Sequence, residues 1–282
     1  MTLSTIRNNP AKQKKVKTKK QKAIAATCAV AFWLLVWHVV SLCVGSELVL
    51  VSPVKVVQTL FTVIFDPDFL KTVWYSAARI LGGFFTALTF GTMLGWVASR
   101  FWVVETLLRP ITAVIKATPV ASFIILVLLW FSGKNLSVII SMLMVFPVIY
   151  MNVLEGIRSA DKKLLEMAQV FRLSVGKKLL YIYLPAVAPF FVSACSVSLG
   201  LCWKSGIAAE VIGTPDGSIG AVFYQAKIFL QTSELLAWTV VVVAVSVAFE
   251  KLFMFLLRLV LKKLKMEDAV SYTHLRAHET VL

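Results

Sequence analysis

Residues 166–185 read EMAQVFRLSVGKKLLYIYLP, a charged and amphipathic segment that ends in Leu-Pro. The stretches on either side, LSVIISMLMVFPVIYMNVL (136–154) and AVAPFFVSACSVSLGLC (186–202), are almost entirely apolar. Apolar runs of about twenty residues are typical of membrane-spanning helices. The charged insert is therefore expected to lie outside the bilayer. Its size needs an explanation, because a simple connection takes only about five residues.

The composition of the whole chain supports a membrane protein. Its 282 residues are 59% hydrophobic and 15% charged, whereas a soluble domain is roughly half apolar and a quarter charged. The apolar runs predict an all-α, polytopic protein with six transmembrane helices at 23–44, 77–98, 111–131, 136–153, 186–212 and 235–260. Between the first two spans, Pro53 is expected to open a short amphipathic helix at the membrane interface.

Lysine and arginine are unevenly distributed between the two sides that six spans define. With the N-terminus in the cytoplasm, the cytoplasmic segments hold 20 of these residues and the outer segments hold four. Cytoplasmic loops carry the excess of Lys and Arg in membrane proteins. We therefore predict a cell-membrane protein with both termini, and the loop at about 155–185, on the cytoplasmic side.

The two ends of the chain differ in composition from the membrane domain predicted at 23–265. Residues 1–22 form a basic arm, and AKQKKVKTKKQK (11–22) alone contains seven lysines. A basic arm can bind nucleic acid, but this one adjoins a span, which favours an anchor near anionic lipid of the bilayer and no nucleic-acid partner. Residues 266–282 form a tail, and SYTHLRAHETVL (271–282) resembles adaptor-derived read-through sequence and is excluded from fold reasoning.

Small residues recur at every fourth position in two of the predicted spans. Such stripes allow helix backbones to approach closely, which matters because lipid provides no hydrophobic drive for helix association. We therefore expect close helix packing along both stripes. Their residues are Gly83, Ala87, Gly91, Gly95 and Ser99 in the second span, and Ala194, Ser198, Cys202 and Gly206 in the fifth.

The insert itself is interpreted as two short helices joined by a turn. Asp161 precedes the first helix, and the second starts within SVGKKLLYIYLP (174–185) and is expected to end at the Leu184-Pro185 corner. A charged knob with one apolar side, on the cytoplasmic side, fits a docking element for a partner. The apolar residues expected on that side are Leu164, Leu165, Ala168 and Phe171.

The same segment resembles the EAA loop of permeases from binding-protein-dependent ATP-binding-cassette transporters. That pattern is E-A-A, three residues, G, nine residues, I-x-L-P. Here Glu166-Met167-Ala168 is followed, at the matching spacing, by Ile182-Tyr183-Leu184-Pro185. Met167 replaces the first Ala, and Arg172 stands where the family has Gly. Gly adopts φ > 0 easily and Arg does not, so the sequence does not decide the shape of the turn at Arg172. Gly176 is a candidate to supply the residue with positive φ instead.

The resemblance extends over roughly residues 23–265. SAARILGGFFTALTFGTMLGWVAS (76–99) is similar to the second span of this family. IKATPVASFIILVLLWFSGKN (115–135) and LGLCWKSGIAAEVIG (199–213) resemble its nitrate/sulfonate/taurine branch. The implied function is the permease subunit of an importer for a small, anionic, nitrate-, sulfonate-, taurine- or bicarbonate-like solute.

The resemblance also implies partners. The loop of this family is a coupling helix seated in a groove of a cytoplasmic ATPase. This chain has no G-x-x-x-x-G-K-[ST] phosphate loop, so it is expected to hold no cofactor, with Mg-ATP bound by the ATPase subunits. An external binding protein and a second permease copy, expected to be identical, complete the assembly. The residues assigned to ATPase coupling are Leu164, Leu165, Glu166, Met167, Ala168, Phe171, Arg172, Gly176, Ile182, Leu184 and Pro185.

Four residues are candidates for the substrate path, namely Lys204, Ser205, Glu210 and Arg79. Lys204 lies deep in the fifth span, on a different face from the small-residue stripe. It either offers a positive site to an anion, or extends outward or pairs with a carboxylate of another helix. Arg79 either extends to the interface or faces the path. The sequence leaves these alternatives open and does not identify the solute.

Two other function classes are a membrane-embedded enzyme and a scaffold subunit that does not transport. A lipid-modifying enzyme needs an acid/base or metal constellation near the interface. The ionisable residues inside the predicted spans form no recognisable motif of this kind, and the sequence predicts neither a metal site nor catalytic residues.

Overall fold

The computed structural model describes residues 19–46 and 48–264. Most of the basic arm and the whole tail at 266–282 lie outside the described residues. Regular structure in the described part is helical. The elements are α1 (Lys19–Val44), α2 (Pro53–Ile64), α3 (Phe69–Arg100), α4 (Trp102–Ala117), α5 (Val120–Leu128), α6 (Gly133–Arg158), α7 (Lys162–Val170), α8 (Val175–Lys178), a π-helical turn (Leu179–Tyr183), α9 (Leu184–Gly213), α10 (Ile219–Ile228) and α11 (Thr232–Lys263).

Five described helical runs are long and apolar enough to cross a membrane, and there are six spans if the bent pair α4–α5 counts as one. The prediction of an all-α, polytopic membrane protein is therefore confirmed. Helices α1, α3, α6, α9 and α11 each contain one of the predicted spans. Helix α2 begins at Pro53, as expected for the short helix between the first two spans.

The third predicted span, 111–131, is wrong as a single straight helix. The chain forms α4 and α5, whose axes differ by 106° across the break at Thr118 and Pro119. Thr118 has an extended backbone, with φ −84° and ψ 133°. Proline sterically disfavours the helical conformation at the preceding residue. The break is therefore located where Pro119 places it, although the apolar run continues through it.

The structure falls into two compact units, one ending at Lys55 and the other beginning at Val56. In the first unit, the apolar side chains of α1 are mostly exposed, as in a helix that contacts lipid. In the last turn of α1, the Ser41 hydroxyl donates a hydrogen bond to the Leu50 carbonyl at 3.0 Å. This bond closes the turn that follows the helix.

The second unit is built around α3, α6 and α9. The small-residue stripe of α3 packs on α6, because a Cβ added at Gly91 would lie 3.0 Å from Ile149 and one added at Gly95 would lie 3.0 Å from Val153. The stripe of α9 is buried as well, and a Cβ at Gly206 would lie 2.6 Å from Ile80 on α3. The expectation of close helix packing along the two stripes is confirmed.

Candidate coupling element and substrate path

The first helix of the insert, α7, has a well-defined start and end. The Asp161 carboxylate accepts a hydrogen bond from the Lys163 N–H at 2.9 Å, which caps the N-terminus. At the other end, the Arg172 N–H donates to the Gln169 carbonyl at 3.0 Å, and the Leu173 N–H donates to the Ala168 carbonyl at 2.9 Å. These two bonds form a Schellman motif, which ends a helix with one left-handed residue.

That left-handed residue is Arg172, with φ 50°. Arg172 itself therefore adopts the conformation that the family pattern assigns to Gly, at a cost of about 1 kcal/mol for a residue with a Cβ. Gly176 does not take over this role, since it lies within α8 and is not among the residues with positive φ. The two hydrogen bonds of the Schellman motif retain the turn despite the replacement.

The second part of the insert differs from the expected helix with a corner at Leu184-Pro185. Helix α8 continues through the π-helical turn into α9, and Pro185 lies in the first turn of α9. Proline lacks an N–H and crowds the carbonyl four residues earlier. A π-helical turn widens the backbone at that point. The helical run from Val175 to Gly213 is consequently continuous over 39 residues.

The apolar residues of the insert divide between two faces. Ala168 and Ile182 are buried in a small core with Ala160, against which Leu165 and Leu173 pack. The expectation that Leu164, Leu165, Ala168 and Phe171 share one side is therefore wrong. On the outside, Leu164, Met167, Val170, Phe171 and Val175 are exposed, and Phe171 retains 71% of its accessible surface. We call residues 160–185 the knob, and these five residues its exposed apolar face.

The other residues assigned to ATPase coupling are distributed over the knob. Glu166, Arg172 and Gly176 are exposed, while Leu184 and Pro185 are partly buried where the knob joins α9. Close to the knob, Arg158 at the end of α6 forms an ion pair with Glu105 in the first turn of α4. The ion pair therefore connects the end of α6, from which the insert extends, to the start of α4.

The four candidates for the substrate path lie in different surroundings. Lys204 is exposed on α9, between the buried Cys202 and Gly206. The Ser205 hydroxyl is buried and donates to the Leu201 carbonyl of its own helix at 2.9 Å. Glu210 is completely buried, and Arg79 is half-buried. Lys204 is thus separated from the other charged candidates, and its assignment to the path stays a prediction.

Glu210 lies in a polar cluster where the starts of α3, α6 and α10 meet the end of α9. The Ser76 hydroxyl donates to Glu210 Oε2 at 2.6 Å and accepts a hydrogen bond from the Ile219 N–H at 2.9 Å. The Gly220 N–H also donates to Glu210 Oε2, at 3.4 Å. The carboxyl group of α9 therefore binds the N-terminus of α10, where free N–H groups favour an acceptor.

Sequence reasoning singled out Glu210 and Arg79 but missed the other members of this cluster. Ser76, Ser137 and Gly220 are separated from one another by tens of residues, and nothing in their local sequence distinguishes them from other small residues in the spans. The one usable signal was a carboxylate in an apolar span, since such a group requires polar partners.

The arrangement of α3 to α11 can be compared with known proteins. Residues 87–266 match the family described as binding-protein-dependent transport system inner membrane component. The chain belongs to this family. It is 29% identical over 216 residues to the putative aliphatic sulfonates transport permease protein SsuC of Bacillus subtilis, covering 76% of this chain and 78% of that protein.

Other members of the permease family are similar over a comparable length. The taurine transport system permease protein TauC of Escherichia coli is 27% identical over 220 residues, covering 76% of this chain and 80% of that protein. The nitrate import permease protein NrtB of a Synechocystis strain is 25% identical over 214 residues, covering 72% of this chain and 76% of that protein. The predicted resemblance to the nitrate/sulfonate/taurine branch is confirmed.

Among solved structures, an amino acid ABC transporter chain has the same fold, with a TM-score of 0.50 and 16% identity, covering 69% of this chain and 96% of that chain. Membership of the family makes this protein a multi-pass component of a transport system in the inner membrane, not an enzyme. It also implies an ATPase and a substrate-binding protein as partners.

Proposed function

We propose that this chain is the permease subunit of an ATP-driven importer, and that its solute is a small molecule with an oxyanion group. Its similarity to permeases named for aliphatic sulfonates, taurine, nitrate and bicarbonate supports this class of solute. A separate binding protein delivers the solute on the outer side, and the membrane helices form the path.

The observation that carries the proposal is the exposed apolar face of the knob. The knob lies between two membrane-spanning helices, yet Val170 and Val175 retain 80% and 82% of their accessible surface. An exposed apolar patch with charged neighbours is typical of a protein interaction site. The knob binds a groove of the ATPase, which holds Mg-ATP, and moves when ATP closes the ATPase subunits.

The assembly contains two permease copies, expected to be identical, and two ATPase subunits. One chain offers a single knob, whereas ATP closes a pair of ATPases, so two knobs are needed. Both termini and the knob lie in the cytoplasm, because the Lys and Arg residues are concentrated on that side.

The test is co-expression of the chain with its ATPase and its binding protein. Native mass spectrometry is expected to give two permease copies and two ATPase subunits, and mass spectrometry of the purified binding protein identifies the solute. Proteoliposomes with ATP inside are expected to import that solute when the loaded binding protein is outside. A transport-competent complex with one permease copy would contradict the assembly, and a bound solute without an oxyanion group would contradict the oxyanion class.

The coupling role is tested with a charge reversal. Glu166→Lys is expected to reduce uptake and ATPase co-purification without changing the amount of permease in the membrane, because Glu166 is exposed. Unchanged association and uptake would mean that the knob is only a connection.

A further inference from the structure

The buried Glu210 cluster has more polar groups than its hydrogen bonds satisfy. In the described part of the chain, Arg79 Nε is buried without a hydrogen-bond partner, whereas Ser137 on α6 lies close enough to Glu210 for its hydroxyl to interact with the carboxyl group. Unpaired buried polar groups are costly and uncommon in native structures. An unpaired arginine nitrogen beside a buried carboxyl group indicates that this cluster has a role beyond helix packing.

Arg79 is the charge that complements Glu210. It lies on α3 three residues after Ser76, so the two residues are on the same face of the helix. Its guanidinium is close enough to Glu210 for an electrostatic interaction, although the two side chains form no direct ion pair. A buried carboxyl group without a cation nearby would be far more costly, because charges inside a membrane domain need a partner.

The guanidinium of Arg79 is also held from two other sides. Its carbon atom lies 5.0 Å from the centre of the Tyr75 ring, a distance at which a cation is attracted to an aromatic face. Its Nη2 donates to Asn135 Oδ1 at 3.4 Å. Arginine has five N–H donors, and these contacts leave part of its planar edge unoccupied. The residue as a whole is half-buried: its Nε is buried, whereas the hydrogen bond through Nη2 is exposed.

The backbone around the cluster leaves little room for movement. A Cβ at Gly220 would collide with the Cβ and main chain of Glu210, and one at Gly133 would collide with the carbonyl of Gly213. Helices α6, α9 and α10 therefore touch through their backbones beside the carboxyl group. A carboxyl group fixed by such contacts can orient a neighbouring side chain precisely.

We propose that Glu210 is a positioning residue that holds the Arg79 guanidinium ready for an oxyanion in the translocation path. This inference rests on the proposed function and adds the site of contact. A planar guanidinium binds a sulfonate, nitrate or bicarbonate group through two parallel hydrogen bonds. Prior orientation by Glu210, Tyr75 and Asn135 removes much of the entropy cost of that contact. Lys204 is not required for it.

The first experiment uses the assembled transporter and the arginine reagent phenylglyoxal, with mass spectrometry to follow the modification of each arginine. The probes are sodium nitrate and sodium ethanesulfonate, compared with sodium chloride at equal ionic strength. At least one probe is expected to slow the modification of Arg79 by about tenfold. A factor of about ten in binding corresponds to the free energy of one hydrogen bond to a charged group. The exposed Arg109 on α4 is the internal control and is expected to be unaffected.

The role of Glu210 is tested in the same assay. Glu210→Gln keeps the shape and hydrogen-bonding capacity of the side chain but removes its charge. In this variant, Arg79 is expected to be modified at the same rate in the presence of the probes as in the presence of chloride. Equal protection in wild type and Glu210→Gln would overturn the positioning role, and no protection in wild type would overturn the site.

A transport assay keeps the inference testable should Glu210→Gln fail to reach the membrane. Both variants lose the bidentate contact of the guanidinium, but Arg79→Lys keeps the positive charge. Arg79→Lys is therefore expected to retain part of the uptake, whereas Arg79→Gln is expected to lose about nine-tenths of it. Wild-type uptake by Arg79→Gln would overturn the contact site while leaving the proposed import function intact. Absence of uptake by the wild-type complex would instead contradict the proposed function.

Discussion

The knob and the Glu210 cluster lie at opposite ends of α9. Each departs from the usual distribution of side chains, in which apolar groups are buried and charged groups are exposed to water. The knob exposes apolar side chains outside the membrane-spanning segments, with Phe171 and Val175 largely accessible. The cluster buries a carboxyl group inside a membrane domain, where Glu210 has no accessible surface. Each arrangement is unfavourable in isolation and therefore indicates a partner, a protein for the knob and polar groups of the same chain for the cluster.

The two regions also differ in how their geometry is fixed. The knob depends on local sequence, because its cap, its Schellman motif and its small core use residues from one stretch of about 25 positions. The cluster depends on tertiary packing, since Ser76 and Glu210 are 134 residues apart. Substitutions in the knob should therefore affect partner binding more than folding, and substitutions in the cluster should do the reverse.

The largest effect on folding is expected for Gly220→Ala. The added Cβ would collide with the Cβ and main chain of Glu210 and push α10 away from α9. We expect the free energy of unfolding to fall by about 3 kcal/mol, the upper range for overpacking. Thermal denaturation of the purified permease in detergent measures this change. Gly200→Ala on α9 is the matched control, because nothing lies within 4 Å of its added Cβ. Equal stability of the two variants would show that the cluster is not tightly packed.

The next largest effect concerns binding rather than folding. Phe171→Ser is expected to reduce the amount of ATPase that co-purifies by about tenfold, as for an aromatic residue central to an interface. Its stability should hardly change, because Phe171 is 71% exposed. The matched control is Phe229→Ser at the end of α10, since Phe229 is 70% exposed and lies far from the knob in the helix order. Loss of ATPase in both variants, or in neither, would remove the distinction between the two regions.

The smallest effect is expected for Arg172→Gly. Glycine adopts φ > 0 without the steric cost of a Cβ, so the free energy of unfolding should rise by about 0.5–1 kcal/mol. Arg172→Ala removes the same charge but keeps the cost of the left-handed conformation. A higher melting temperature for Gly than for Ala would confirm that the backbone conformation decides the effect. The same temperature for both variants would assign it to the charge instead.

The features that local sequence determines were predicted well. The apolar runs located the membrane-spanning helices, the recurrence of small residues located the close contact of α3 with α6, and the charged insert located the knob. The position of the turn after α7 was also predicted, but its conformation was not. Arginine is unusual at φ 50°, and hydrogen bonds that the sequence does not reveal hold Arg172 in this conformation.

Three features required the three-dimensional structure. The apolar run at 111–131 hid the 106° change of direction between α4 and α5, even though Pro119 was present to cause it. The partners of Glu210 come from three other helices, and a single sequence offers no periodicity that connects them. The exposure of Lys204 likewise depends on which face of α9 packs inward, which the stripe of small residues indicated only in part.

The unbroken helical run from Val175 to Gly213 has a mechanical consequence. Its 39 residues correspond to a rod of about 58 Å at 1.5 Å per residue. One end carries the part of the knob that begins at Val175, and the other end carries Glu210 and, through it, the start of α10. A tilt of only about 5° about one end of such a rod would displace the other end by about 5 Å. A small displacement at the knob would thus reach the start of α10 at the other end of the run, and the π-helical turn and Pro189 are the points at which the run can bend.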